Sequence, residues 1–96
     1  MILNLTFTYS GRTYDAKAHR YTKPPMSTNK YLPELEYFVD SIIPNDLPFQ
    51  AVTFIADKKE KAFRFNGVNP DHLPLLALIA GSIKQACQAD NISAFE

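Results

Sequence analysis

Alternating apolar and polar residues at the start of the chain constrain its fold more than any other feature. Apolar side chains occupy every second position over residues 3–9, and the alternation resumes over residues 14–18 after Ser10-Gly11. A period of two places alternate side chains on opposite faces of a strand, and a short glycine-containing tip joins two such strands. The sequence therefore predicts a β-hairpin with Phe7 opposite Tyr14, since a slip of one residue would mix the two faces.

A second hairpin is predicted in the middle of the chain. Residues 51–56 and 61–66 are rich in aromatic and β-branched side chains, and the charged segment 57–60 separates them. Pairing across that tip sets Phe54 opposite Phe63 and gives this hairpin one strongly apolar face.

Between the two hairpins, the spacing of apolar residues is typical of an amphipathic helix. Apolar residues recur at intervals of three and four: Leu35, Phe38, Val39, Ile42 and Ile43. Pro33 suits the first helical position, and Pro44 would stop the helix after Ile43. The spacing predicts a helix over residues 33–43.

A second helix is predicted from Pro74 to about Ala89, after a turn over residues 69–73. Apolar residues lie on nearly every side of its first turns, so we expect this helix to be buried on two sides. We expect the side chains that lie off its main stripe to contact a second copy of the chain or another protein; these are Leu75, Leu78 and Ala86. Gly81, inside the helix, predicts a close crossing against a neighbouring backbone.

The predicted order of elements is ββαββα, which indicates the α+β class. With 96 residues, of which 46% are hydrophobic and 21% charged, the chain is expected to form a single domain over residues 1–96. We expect an antiparallel four-stranded sheet, or two packed hairpins, with both helices on one side.

Charge is balanced overall but polarised along the chain. Residues 1–31 carry five basic side chains and one acidic one, a net charge of +4, whereas residues 32–57 carry five acidic side chains and no basic one. Pairing within the molecule and a charged partner surface both explain this pattern.

Pro24-Pro25 stiffens a long connector over residues 22–30, and such connectors often carry recognition. The predicted partner-binding residues are Arg12, Lys17, His19, Arg20, Tyr21, Lys23, Met26, Lys30 and Tyr31.

Few residues suggest catalysis. Cys87 is the only cysteine and belongs to the apolar stripe of the last helix, which indicates a packed core residue. Asn69 and Asp71 precede that helix and are interpreted as caps rather than as partners of His72 in acid–base chemistry. No spacing matches a zinc site or a phosphate-binding loop. We therefore expect a non-enzyme with no metal and no cofactor, and keep a small enzyme using His72 as a minor hypothesis.

The sequence also bears on location. The first residues do not resemble a secretory leader, and no stretch approaches the roughly 20 apolar residues of a membrane span. A single cysteine fits a reducing compartment. A cytoplasmic protein without membrane contact is expected.

These observations favour a small protein-binding module, an inhibitor or regulator that occludes a larger partner. A phage or mobile-element antagonist of a host system, such as an anti-CRISPR protein, would fit this description. The alternative is a nucleic-acid-binding accessory protein that uses the basic, tyrosine-containing strip over residues 12–31. A balanced net charge weakens that alternative.

Overall fold

The chain forms an α+β fold in which an antiparallel, curled five-stranded sheet packs against a C-terminal helix. A computed structural model describes residues 1–23, 34–65 and 69–96, with only the backbone of Lys23. The elements are β1 (Ile2–Tyr9), β2 (Arg12–Lys23), β3 (Glu34–Ile43), β4 (Val52–Asp57), β5 (Ala62–Arg64), a 3-10 turn (Pro70–His72) and α1 (Leu73–Ala89). Strand order follows the chain, from β1 at one edge to β5 at the other.

The first hairpin is confirmed in its predicted register. Phe7 lies opposite Tyr14, and the pairing runs without interruption from Tyr9 to Ile2. Ser10 and Gly11 both have positive φ, 51° and 75°, as a two-residue type I′ turn requires. The twist of such a turn matches that of the two strands, so the local sequence is sufficient to set their register.

The second hairpin forms, but its register differs by two residues from the prediction. Phe63 lies opposite Ala56 rather than Phe54. The carboxylate of Asp57 accepts hydrogen bonds from the backbone N–H groups of Lys59 and Glu60, both at 3.0 Å, which folds the tip one residue later than expected. A two-residue shift keeps every side chain on its face, and the rings of Phe54 and Phe63 still meet edge to face at 5.9 Å.

The predicted helix over residues 33–43 is wrong, because Glu34–Ile43 is strand β3. Leu35, Tyr37 and Val39 also obey a period of two, and they point to the same side of the sheet. β3 pairs with β2 on one side and with β4 on the other, so both edges of its backbone are hydrogen-bonded. This pairing with distant strands outweighs the local helical spacing.

A bulge explains why the end of β3 also fits a helical pattern. The pairing between β2 and β3 shifts by one residue after Asp15, and Ser41 has a φ of 53°. The extra residue returns Ile42 to the buried side of the sheet, three positions after Val39. A spacing of three is typical of a helix, yet here it results from the bulge.

The predicted C-terminal helix is confirmed as α1. It packs mainly against β1 and buries Leu75, Leu76, Ile79, Ile83 and Cys87. The opposite side of this core consists of strand residues: Leu3, Leu5, Phe7, Tyr14, Ala16, Ala18, Tyr37, Val39 and Phe54. We call the sheet face toward α1 the inner face and the opposite one the outer face. The predicted close crossing at Gly81 is wrong, because a Cβ atom built there would have nothing within 4 Å.

The expectation that the residues off the main stripe of α1 contact a partner needs correction. Leu75 is only 1% exposed within one chain and so belongs to the core rather than to a partner surface. Ala86 is partly buried against that core, whereas Leu78 is 43% exposed. Ile92, Ala94 and Phe95, which follow the helix, pack against the same core.

Candidate protein-binding face

The predicted partner-binding residues on β2 divide between the two faces of the sheet. Lys17, His19 and Tyr21 lie on the outer face, alternating with Ala16 and Ala18, which are buried on the inner face. Arg12 and Arg20 belong to the inner-face set, since strand positions of equal parity share a side. The structure therefore does not bring these residues together as one basic strip.

Apolar and aromatic side chains form a patch on the outer face. One cross-strand row runs from Ile2 through His19 to Phe38, whose ring centroid lies 6.1 Å from that of His19. Tyr21 is a diagonal neighbour of Phe38. Ile2, Tyr21 and Phe38 are 56%, 42% and 37% exposed, respectively. We call Ile2, His19, Tyr21 and Phe38 the outer patch.

Acidic side chains of β3 face the basic and tyrosine side chains of β2 on the outer face. His19 Nε2 and Asp40 Oδ1 are 2.8 Å apart, and Lys17 lies directly across the strand pair from Asp40. The Tyr21 hydroxyl donates a hydrogen bond to Glu36 Oε1 at 2.7 Å. Asp40 and Glu36 of β3 thus contact or face side chains of β2 within the same molecule.

The hydrogen bond between Tyr21 and Glu36 alters the chemistry of the phenol. It is the main reason that the pKa of Tyr21 rises to about 12, with desolvation and the charge of the carboxylate adding to the effect. Glu36 itself is only 6% exposed although it is acidic. This contact holds the Tyr21 ring in a defined position at the margin of the outer patch.

Arg20 serves the interior of the molecule. Its Nη1 donates to the Tyr37 hydroxyl at 2.7 Å and to the backbone carbonyl of Ser93 at 2.6 Å, and lies 3.7 Å from Cys87 Sγ. The Tyr37 hydroxyl in turn donates to the carbonyl of Ala94 at 2.7 Å. Burial raises the pKa of Tyr37, which favours its neutral, hydrogen-bonding form. Arg20 therefore anchors the segment after α1, a role that no local sequence signal indicated.

Arg12 also has a partner within the chain. Its guanidinium contacts the carboxylate of Asp46, which lies in the connection between β3 and β4. The remaining predicted binding residues, Met26, Lys30 and Tyr31, lie outside the described residues, as does the side chain of Lys23.

A shallow groove extends the outer face next to the β3 bulge. Its volume is about 490 Å³, and its lining includes Thr6, Asp15, Lys17, Ser41 and Ile43. Thr6 donates a hydrogen bond to Asp15 at 3.0 Å. The groove offers a polar rim beside the apolar outer patch.

Cys87 and His72, the residues considered for chemistry, both pack against neighbouring side chains. Cys87 is buried between Arg20 and Tyr37, and the His72 ring packs 5.9 Å from the ring of Phe49. Asn69 accepts a hydrogen bond from the N–H of Asp71 at 2.9 Å and so caps the 3-10 turn. The predicted capping of the helix itself by Asn69 and Asp71 is not found, because the N-cap of α1 is His72, whose side chain makes no capping bond. Within the described ranges, no cluster of three or more His, Cys, Asp or Glu side chains is placed to hold a metal ion.

Phe38 and Ile2 belong to the outer patch but were not predicted as binding residues. Phe38 was assigned to the apolar stripe of a helix that does not exist. The alternation of Glu34, Glu36 and Asp40 around it marks the outer face of a strand, and this signal could have identified Phe38 as outward-facing.

Comparison with known proteins returned no match among protein-family models, curated proteins or solved structures. Among the parts of the chain that the structure describes, none of the helices has the length and apolar character needed to span a membrane.

Proposed function

We propose that the chain is a small, non-enzymatic protein-binding module that occupies the surface of a larger partner through its outer face. The observation that carries this proposal is the outer patch, where Ile2, Tyr21 and Phe38 are exposed on a sheet face that α1 does not cover. Exposed aromatic side chains surrounded by polar and charged ones are typical of protein–protein interfaces.

The sheet backbone makes this surface suitable for occlusion. The outer patch lies on three consecutive strands, β1, β2 and β3, and β2 and β3 each have a hydrogen-bonded neighbour on both sides. Side chains on such a scaffold lose little conformational freedom on binding, which favours affinity. A small rigid face of this kind suits an inhibitor or regulator of a larger assembly, such as a phage or mobile-element antagonist.

The nucleic-acid alternative has weaker support. Phosphate binding relies on excess positive charge, whereas His19 and Lys17 face Asp40 and Tyr21 contacts Glu36. Arg12 and Arg20 have partners within the chain. Tyr21 and Phe38 retain exposed rings on which bases could stack, and so the same variants test both functions.

Phe38→Ser is the informative change, and Leu78→Ser is its matched control. Both remove a partly exposed apolar side chain, one from the outer face and one from α1. Tagged wild-type protein and both variants are used to capture proteins from an extract of the source cell, with quantitative mass spectrometry as the readout. We expect one protein to be captured by the wild type and by Leu78→Ser, at a level at least tenfold lower with Phe38→Ser.

Circular dichroism must first show that both variants fold. Partner capture that survives Phe38→Ser but disappears with Leu78→Ser would contradict the proposed face and place binding on α1. Gel-shift assays with single- and double-stranded DNA and RNA at two salt concentrations form the second arm. Steeply salt-dependent binding that Phe38→Ser weakens would favour the nucleic-acid alternative.

A further inference from the structure

β1 is an edge strand without the features that usually prevent edge-to-edge pairing. Its pairing with β2 has no bulge, and residues 1–10 contain no charged side chain and no proline. Edge strands are usually interrupted by charge, proline or bulges, or are very short. The opposite edge follows that rule, because β5 has three residues, among them Arg64, and follows directly on Lys61.

The hydrogen-bonding pattern identifies which backbone groups of β1 point away from β2. Arg20 N donates to Met1 O at 2.9 Å, and the register makes these two residues a hydrogen-bonded pair. Hydrogen-bonded and non-hydrogen-bonded pairs alternate along an antiparallel ladder. The N–H and C=O groups of every second residue, Ile2, Asn4, Thr6 and Thr8, therefore point outward from the edge.

Those outward groups have no hydrogen-bond partner among the described residues. No backbone bond outside the regular ladders reaches them, and the side chains of Thr6 and Thr8 bond to Asp15 and Thr13 instead. All four residues are exposed, and α1 packs on the inner face, over Leu3, Leu5 and Phe7. The edge is thus accessible to another strand.

We propose that a second copy of this chain pairs with β1 through its own β1, in antiparallel orientation, around a two-fold axis at Leu5. This register sets Ile2 opposite Thr8 of the second copy, and Asn4 opposite its Thr6. All four outward residues then lie in hydrogen-bonded pairs, and with two bonds in each pair the edge forms about eight backbone hydrogen bonds. Axes at Asn4 or Thr6 would leave Thr8 or Ile2 without a partner on the other β1.

The side chains of β1 favour a second copy as the occupant of this edge. The strand carries no charged side chain, so two copies meet without like-charge repulsion. The two-fold axis keeps both outer faces on one side, where Asn4 lies beside Thr6. On the other side Leu5 lies beside Leu5 and Leu3 beside Phe7, side chains that each copy already buries in its own core. Pairing produces a ten-stranded sheet with a helix of each copy on the same face.

This dimer does not depend on the proposed function. The bonds come from the backbone of β1, whereas the proposed binding face rests on the side chains of Ile2, Tyr21 and Phe38, which lie on the outer face. Failure of one proposal leaves the other intact.

Thr6→Pro tests the pairing, with Thr6→Ala as its control. Proline removes an N–H group that points outward and leaves the ladder with β2 in place. Alanine removes the same hydroxyl, and with it the bond to Asp15, but retains the N–H. Sedimentation equilibrium over a hundredfold concentration range is expected to give a mass near twice the 10.9 kDa of one chain for the wild type and Thr6→Ala. We expect Thr6→Pro to raise the dissociation constant at least tenfold.

Amide hydrogen exchange on the wild type supplies a measurement that does not depend on a variant. In the dimer the amides of Asn4 and Thr6 become protected, and dilution into the monomer range restores fast exchange. A wild-type protein that stays monomeric at every concentration overturns the proposal. A dimer in which these amides exchange rapidly also overturns it, because the interface then lies elsewhere.

Discussion

Gly81 lies in the middle of α1, where glycine usually weakens a helix. The expectation was that a close neighbour requires it, yet no atom outside its own helix would touch an added Cβ. Its φ is in the ordinary helical range, unlike that of Gly11 at 75°. The backbone conformation therefore requires glycine at position 11 but not at position 81.

Gly81→Ala is therefore expected to raise the free energy of unfolding by about 1 kcal/mol, because alanine restricts the unfolded chain and favours the helix. The matched change Gly11→Ala is expected to lower it by about 1 kcal/mol, because a Cβ is strained at positive φ. Urea denaturation measures both. A loss of stability in Gly81→Ala would show that the helix needs glycine for a close contact after all.

Tyr21 makes stability depend on alkaline pH. Its pKa in the folded protein is about 12, against an ordinary value of 10.0. Because the folded state holds the proton more tightly, this contribution is fully present below pH 10 and is lost as the pH rises from there toward 12. Tyr37 contributes with the same sign, since its pKa is also raised. Because the Tyr21 side chain is partly exposed, its contribution to this pH dependence is reduced.

Tyr21→Phe should make the decline of stability above about pH 10 less steep, since the phenol with the raised pKa is gone. Tyr9→Phe is the control, because the Tyr9 hydroxyl has no hydrogen bond among the described residues. The free energy of unfolding in urea is measured at several pH values on either side of 10. Identical slopes for the wild type and Tyr21→Phe would contradict the assigned contact with Glu36.

At the scale of elements, the segment over residues 90–96 closes the core beside α1 and β5. The ring of Phe95 lies 4.9 Å from that of Phe63 and 5.7 Å from Lys84 Nζ. The carbonyls of Ser93 and Ala94 accept the hydrogen bonds from Arg20 and Tyr37 described above. Ile92 N donates to the backbone carbonyl of Cys87 at 3.0 Å, and Cys87 is only 1% exposed.

Phe95→Ala is expected to lower the free energy of unfolding by about 2 kcal/mol, since it removes a partly buried ring. It should also accelerate the reaction of Cys87 with a thiol reagent in the folded protein, because the covering segment is released more often. Glu96→Gln is the control: its exposed ion pair with Lys61 contributes less than about 1 kcal/mol. An unchanged thiol reaction rate in Phe95→Ala would show that the segment over residues 90–96 does not limit access to Cys87.

The contrast between β3 and α1 shows why one element was predicted correctly and the other was not. The helical hydrogen bonds of α1 join residues four apart, so spacing and the proline at its start suffice to identify it. The hydrogen bonds of β3 join it to β2 and β4, as in the pairs of Val39 with Ala18 and with Val52. Apolar spacing within β3 fits both periods, and only its neighbours distinguish them.

At the scale of the whole molecule, α1 and the sheet share one apolar core. Ile79 of α1 is fully buried in a cluster that includes Leu5 of β1, Val39 of β3 and Phe54 of β4. Since these side chains share one core, the sheet and the helix are expected to unfold together.

Ile79→Ala is expected to lower the free energy of unfolding by about 2–5 kcal/mol through the cavity it leaves. The helical circular dichroism signal and tyrosine fluorescence should still change at the same urea concentration. Leu78→Ala, one position away but exposed, should change stability by less than about 1 kcal/mol. Loss of the helical signal before the fluorescence change would indicate that α1 is a separate unit.

The candidate binding face was only partly predictable. Alternation along a strand is a local property, so the sequence of β2 is enough to place Lys17, His19 and Tyr21 on one face. Arg20 was grouped with them but points to the inner face, and Phe38 was assigned to a buried stripe. Alternation along β2 is enough to place Arg20 opposite His19 and Tyr21. The position of Phe38, by contrast, depends on β3 being a strand, which its pairing with β2 and β4 decides.

By itself, the sequence determined the first hairpin with its register and the C-terminal helix. These features depend on hydrogen bonds and turns between residues close in the chain. Only the tertiary structure decided that residues 34–43 form a strand, that Asp40 of β3 contacts His19 of β2, and that Arg20 anchors residues 93 and 94. Each of those outcomes depends on contacts between residues distant in sequence, which no local pattern encodes.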